Sequence, residues 1–227
     1  MSRFRYLRAS WPFSLSKLGD RLRALSFGAE SSDGFRLERV RPSLIEARYF
    51  EKSTFEESIT DPLGNILSFE RTKFNEVEFV LSNKYPQIEL INSPRTVGAF
   101  ISRLSEATNS LLSVEALHVN PLNWAESFEA ASEGGTIFSL IEVSNLIIRP
   151  NILGRISLAG TEDVRAALKT VVPKGTYSVA KVKVITGGTG KECKLILGSD
   201  STARLSGTIT EEIIHRVKTT LPEPVLL

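Results

Sequence analysis

Cysteine is almost missing from this sequence. Its 227 residues include one cysteine, Cys193, two histidines, one methionine and two tryptophans. A single cysteine excludes an internal disulfide and a cysteine-rich metal site. His118 and His215 lack the acid, cysteine or second-histidine spacing of a metal site, so neither a metal nor a cofactor is expected. No apolar run reaches the ~18–20 residues that a membrane span requires. The basic start has no long apolar stretch behind it, so it does not read as a secretory signal. These absences favour a reducing, cytoplasmic setting. A dominant charge of one sign is lacking too: 28 Lys and Arg against 26 Asp and Glu leave a formal net charge of +2, which gives no global affinity for polyanions.

Catalytic motifs are also missing. The run Ile185-Thr186-Gly187-Gly188-Thr189-Gly190-Lys191-Glu192 fails as a phosphate loop. Ile185 stands where the first glycine belongs and Glu192 where Ser or Thr belongs. A strand-like segment follows it instead of a helix. Cys193 has no histidine base near it in the sequence, and no nucleophile elbow is present. The acid pairs Glu162-Asp163 and Glu211-Glu212 suit helix N-termini. No catalytic residue is assigned, and a non-enzymatic protein is expected.

What the chain does contain is a segment written twice. Residues 146–173 align without a gap to residues 195–222, and nine of the 28 positions are identical, among them Arg155/Arg204 and Thr161/Thr210. Chance would give roughly two at ordinary composition, so a duplication is read here. Each copy reads as three strands and a helix. FSLIEV (138–143) and YSVAKV (177–182) are the first strands, LII and LIL the second, RIS and RLS the third. Thr161 and Thr210 are the expected helix caps. The expected fold class is α+β, with antiparallel sheets, helices packed on one face and a tandem βββα unit at 146–173 and 195–222. In architecture such a doubled unit resembles saddle-like and clamp-like nucleic-acid binders.

The remainder divides by pattern. Residues 1–27 read as a basic N-terminal arm followed by an amphipathic helix, in which Leu15, Leu18, Leu22 and Leu25 keep helical spacing after Ser14. Residues 35–110 read as a β-rich α+β domain of alternating strands (35–42, 44–52, 54–60, 66–74, 77–82, 87–92), ending in a helix opened by Ser93-Pro94. The order within 66–106 suggests a third, diverged copy. Residues 111–227 read as the duplicated domain, which can be continuous with 35–110. Asn120-Pro121 is a helix start that sets Trp124 and Phe128 on one face.

Local charge points to partners. Residues 1–25 hold six Lys or Arg and one Asp, a surplus of +5, whereas residues 104–148 hold six Glu and no Lys or Arg. The leading expectation is weak, sequence-independent binding of DNA or RNA. Its contacts would be Arg3, Arg5, Arg8, Lys17, Arg21 and Arg23 of the arm and helix, with Lys181, Lys183, Lys191 and Lys194 of the late hairpin. The alternative is a protein-interaction or assembly subunit: an inhibitor, a scaffold or a defence-system component. It would use the acidic segment 115–142, with Glu126, Glu129 and Glu133, and an open sheet face, towards a protein partner or a second copy. Membrane-surface contact by residues 1–27 is a further reading.

Overall fold

The computed structural model describes residues 1–132, 134–172, 176–187 and 191–223. The protein is α+β, and its described residues form eleven strands and five helices. The sheet pairings between named strands are antiparallel. The chain divides into two compact units, one of Ala9–Val114 and one of Met1–Arg8 with Glu115–Leu227. Strand β1 (Ser2–Ser10) opens the chain, and a short β6 (Ser113–Ala116) lies at the later boundary.

The 9–114 unit holds α1 (Leu15–Ala24), β2 (Asp33–Arg41), β3 (Leu44–Thr60), β4 (Ile66–Ser82), β5 (Ile88–Ile91) and α2 (Gly98–Ala107). Its strand order is β2-β3-β4-β5. Ser14 caps α1, its side chain accepting from the Lys17 amide, and Leu15, Leu18 and Leu22 are buried. A Cβ on Gly19 would stand 2.9 Å from Val40 Cγ1, so the bare residue lets α1 lie close on β2. The apolar stripe of this helix is therefore spent on the core of its own unit. Phe35, Tyr49, Phe79 and Phe100 form the aromatic centre of that core.

The strands expected at 44–52 and 54–60 are one strand, and so are those at 66–74 and 77–82. Their register runs unbroken from Leu44 opposite Ser82 to Thr60 opposite Ile66. No glycine or proline lies inside either run to interrupt it. The turn is held by Asp61, whose Oδ1 accepts from the amides of Leu63 and Asn65. Ser93-Pro94 does not open the helix. Ser93 is buried, and α2 begins at Gly98 after Val97 with no side-chain cap. Merged into β4, the strands of 66–82 do not make the separate three expected of a third copy.

The C-terminal unit holds α3 (Pro121–Ala130), β7 (Thr136–Arg149), β8 (Ile152–Ala159), α4 (Arg165–Val171), β9 (Ser178–Thr186), β10 (Cys193–Gly198), β11 (Thr202–Gly207) and α5 (Glu211–Thr219), together with residues 2–8 of β1. Its strand order is β1-β11-β10-β9-β7-β8. Asn120 caps α3 and Pro121 takes the first helical position. Trp124 and Phe128 are fully buried, and Trp124 Nε1 donates to the Val217 carbonyl of α5 at 3.0 Å.

Residues 2–10 are not a free arm. Phe4 and Tyr6 are buried, and β1 pairs with β11. Ser201 Oγ donates to the Tyr6 carbonyl at 2.6 Å. The two similar segments also differ. The later one has the expected three strands β9, β10 and β11 and a helix capped by Thr210, which accepts from the Ile213 amide. The earlier one has two strands, because 138–143 and 146–148 are parts of the single strand β7, carried across Ser144-Asn145 by a bulge. Thr161 is not its cap. α4 starts only at Arg165, where the Asp163 carboxylate accepts from the Arg165 amide at 2.9 Å.

Candidate nucleic-acid interface

Alternation along the strands of the C-terminal unit gives its sheet two unlike faces. Val182, Val184 and Thr186 of β9, Cys193, Leu195 and Leu197 of β10, and Ala203 and Leu205 of β11 are buried, and α3 packs against β9 and β10. The residues between them point the other way. The register orders that second face in rows. Arg3 stands opposite Arg204, Arg204 opposite Ile196, Ile196 opposite Lys183 and Lys183 opposite Leu140. In the next row Arg5 faces Thr202, Gly198 faces Lys181 and Lys181 faces Glu142. On the other flank Ser206 faces Lys194, Lys194 faces Ile185 and Ile185 faces Ile137.

The structure thus brings Arg3, Arg5, Lys181, Lys183 and Lys194 onto one solvent-accessible sheet face. Two arginines absent from the expected site join them. Arg204 is exposed between Arg3 and Ile196, and Arg155 is exposed on β8, two residues from Ser157, which stands opposite Glu142. The signal for both was present, since they occupy equivalent positions of the repeated segment and lie at strand spacing. Glu142 is the acid of these rows, and it is taken by Lys181, whose Nζ donates to its two oxygens at 2.9 and 2.8 Å. Among the described residues Lys183, Lys194 and Arg204 have no ion-pair partner. Arg5 Nε is buried without a hydrogen-bond partner among them.

The remaining expected residues lie elsewhere. Arg8 is half-buried and lies past Tyr6 and Leu7, which are both buried and break the alternation of β1. Lys191, exposed, flanks the β9–β10 turn, whose residues 188–190 lie outside the described residues. Lys17, Arg21 and Arg23 sit on α1 in the 9–114 unit and are engaged locally. Arg21 donates to the Ala107 carbonyl and to Asn109 Oδ1, Arg23 pairs with Asp20 at 2.6 Å, and Lys17 lies over the Phe13 ring. Glu129 is held by a two-point ion pair with Arg165, at 2.7 and 3.1 Å. Glu126 is exposed on α3. Glu133 lies outside the described residues.

Clefts and one thiol lie outside this face. In the C-terminal unit a cleft of 480 Å³ is lined by His118, Asn120, Asn145, Tyr177 and Ser199 among others. In the 9–114 unit a cleft of 430 Å³ lies between Tyr49, Glu51, Lys73 and Asn75 on one side and Thr96–Phe100 on the other. Burial raises the Tyr49 phenol, and its hydrogen bond to Asp33 raises it further. Cys193 is fully buried. Burial pushes its thiol up, against the Ser206 backbone bond, which lowers it; that is the opposite of what a thiolate nucleophile needs. Among the described residues no three of His, Cys, Asp and Glu are grouped to hold a metal ion, and no helix is long and apolar enough to cross a membrane.

Compared with protein-family models and with curated proteins, the chain matches none.

Proposed function

We propose that the protein is a non-enzymatic binder that takes the phosphate backbone of DNA or RNA, without sequence preference, on the open sheet face of its C-terminal unit. The observation that carries this reading is the register, which lines up Arg3, Arg204 and Lys183 in one row, with Arg5 in the next and Lys194 on the other flank. Among the cations of these rows stand aliphatic side chains, Leu140, Ile185 and Ile196, with Thr202, Ser206 and the acid Glu142. The described residues of these rows include no aromatic ring on which bases could stack, so phosphate contact supplies the affinity and sequence contributes little. The single, buried Cys193 suits a reducing, cytoplasmic setting. We read 146–173 and 195–222 as one duplicated unit on their nine identities and on the hairpin-then-helix order that both keep.

A gel shift of labelled DNA and RNA at low and high salt tests the reading. A shift at low salt and micromolar protein that fades as salt rises supports it, and no shift at low salt removes it. The second reading, a protein-interaction or assembly subunit, draws on the same face, since aliphatic residues among cations also suit an acidic protein partner.

A further inference from the structure

An irregularity in β7 shapes the 480 Å³ cleft of the C-terminal unit. From Val143 to Leu146 the opposite residue on β8 moves only from Ile156 to Gly154, so β7 carries one residue more than its neighbour. Its pairing with β9 ends at Ser144, opposite Ser178. Asn145 therefore stands opposite no described residue of either strand, and its φ of 53° lies in the left-handed region. Bulges of this kind re-aim a side chain, and Asn145 lines the cleft. Other parts of the lining are fixed by bonds of their own. The Ser199 amide donates to the Ala180 carbonyl at 3.1 Å, and the Ser199 carbonyl accepts from the Val119 amide at 3.0 Å. Asn120 Oδ1 accepts from the Leu122 amide at 2.9 Å, which leaves Asn120 Nδ2 as a donor.

We propose that this cleft is a binding site for a neutral sugar. The chemistry of its lining selects that class. Among the described residues no Lys, Arg, Asp or Glu lines it, so a charged ligand would leave water without meeting a counter-charge. The side chains of His118, Asn145, Tyr177, Ser178 and Ser199 line it and have no hydrogen-bond partner among the described residues. A sugar presents many hydroxyls, each both donor and acceptor, and a C–H face. The amides of Asn120 and Asn145, the His118 imidazole and the serine hydroxyls match the hydroxyls. The half-buried Tyr177 ring matches the C–H face. A volume of 480 Å³ falls within the ~300–1,000 Å³ of small-molecule sites. Because the backbone holds Ser199 and the α3 cap holds Asn120, binding orders little that is not already ordered. The site goes beyond nucleic-acid binding and does not rest on it.

NMR titration of the isotope-labelled full chain tests the site without nucleic acid. The probes are glucose, galactose, mannose, ribose and N-acetylglucosamine, each taken to about 20 mM to cover millimolar affinities. At least one should shift the amides of His118, Asn145, Ser178 and Ser199 in a saturable way. The phosphate ester of that sugar should bind about tenfold more weakly, since its charge meets no partner in the cleft. Asn145→Gly removes the amide and leaves a residue suited to positive φ, so it should weaken binding about tenfold. If Asn145→Gly fails to fold, Tyr177→Leu, which removes the ring and keeps an apolar side chain, should show a loss of the same order. No saturable shift at these amides with any of the sugars overturns the proposal. So does a phosphate ester that binds as well as its sugar, or binding indifferent to the substitution. Shifts produced by adenosine or uridine but by none of the sugars overturn it in favour of a nucleoside.

Discussion

Arg165 gathers more interactions than any other side chain described above. Its guanidinium meets both oxygens of Glu129, holds Asp163 at 2.7 Å and lies 3.8 Å from the centre of the Phe138 ring. The Asp163 bond keeps its pKa above the ordinary arginine value, burial opposing. Arg165→Ala should cost about 1–2 kcal/mol in denaturant titrations, because two carboxylates lose a charged donor and a ring loses its cation. Burial pushes the Asp163 carboxyl upward, but the Arg165 hydrogen bonds outweigh it and hold the group below its usual 3.8. A depressed folded value means that the stabilisation is present above pH 3.8 and is lost as pH falls through the lower folded value. Acid titration of stability should therefore be flatter in Arg165→Ala than in the parent. Trp124, fully buried and bonded to Val217, should cost about 3–5 kcal/mol as Trp124→Ala, read in the same titrations. The burial of Trp124 was legible in the sequence, because a four-residue spacing with Phe128 is local information. The Arg165–Glu129 pair was not, since 36 residues separate the partners and only the packing of α4 near α3 brings them together.

At the scale of elements, helices with local signals were the most legible. Ser14, Asn120-Pro121 and Thr210 mark α1, α3 and α5 by their own chemistry. Strand ends were less so, since nothing in 44–60 or 66–82 announces that each is continuous. β1 shows how one signal masks another. Arg-Phe-Arg-Tyr alternates with period two, a strand pattern, but its charge favours an arm, and only burial of Phe4 and Tyr6 decides between them. Beyond Glu51 on β3 and Asn75 on β4 neither β2 nor β5 pairs with the β3–β4 hairpin, and Phe55, Ile59, Leu67 and Phe69 are exposed on the face that continues from Tyr49 and Val77. A two-stranded ribbon without cover is marginally stable in water. Hydrogen exchange should therefore find amides of 53–60 and 66–73 opening well before those of 45–49 and 77–81. Equal protection along the whole hairpin would mean that something covers its far half.

For the whole molecule, the near-neutral total conceals how charge is distributed. Composition gave +2, and local counting found basic segments without saying which of them share a surface. The fold separates them: Arg3, Arg5, Lys181, Lys183 and Lys194 lie on one sheet face, whereas Lys17, Arg21 and Arg23 belong to a helix of the other unit that meets its partners locally. The register, which pairs residues some 200 positions apart such as Arg3 and Arg204, is what no local pattern could supply. The most direct measurement is fluorescence anisotropy of a labelled oligonucleotide titrated with the parent, with Lys183→Glu/Arg204→Glu and with Lys17→Glu/Arg23→Glu, across a salt series. The account predicts that the sheet-face variant loses most of the affinity and lowers the slope of log K against log salt by about 2, while the α1 variant binds like the parent. Equal binding by the parent and the sheet-face variant, or loss in the α1 variant alone, would contradict it.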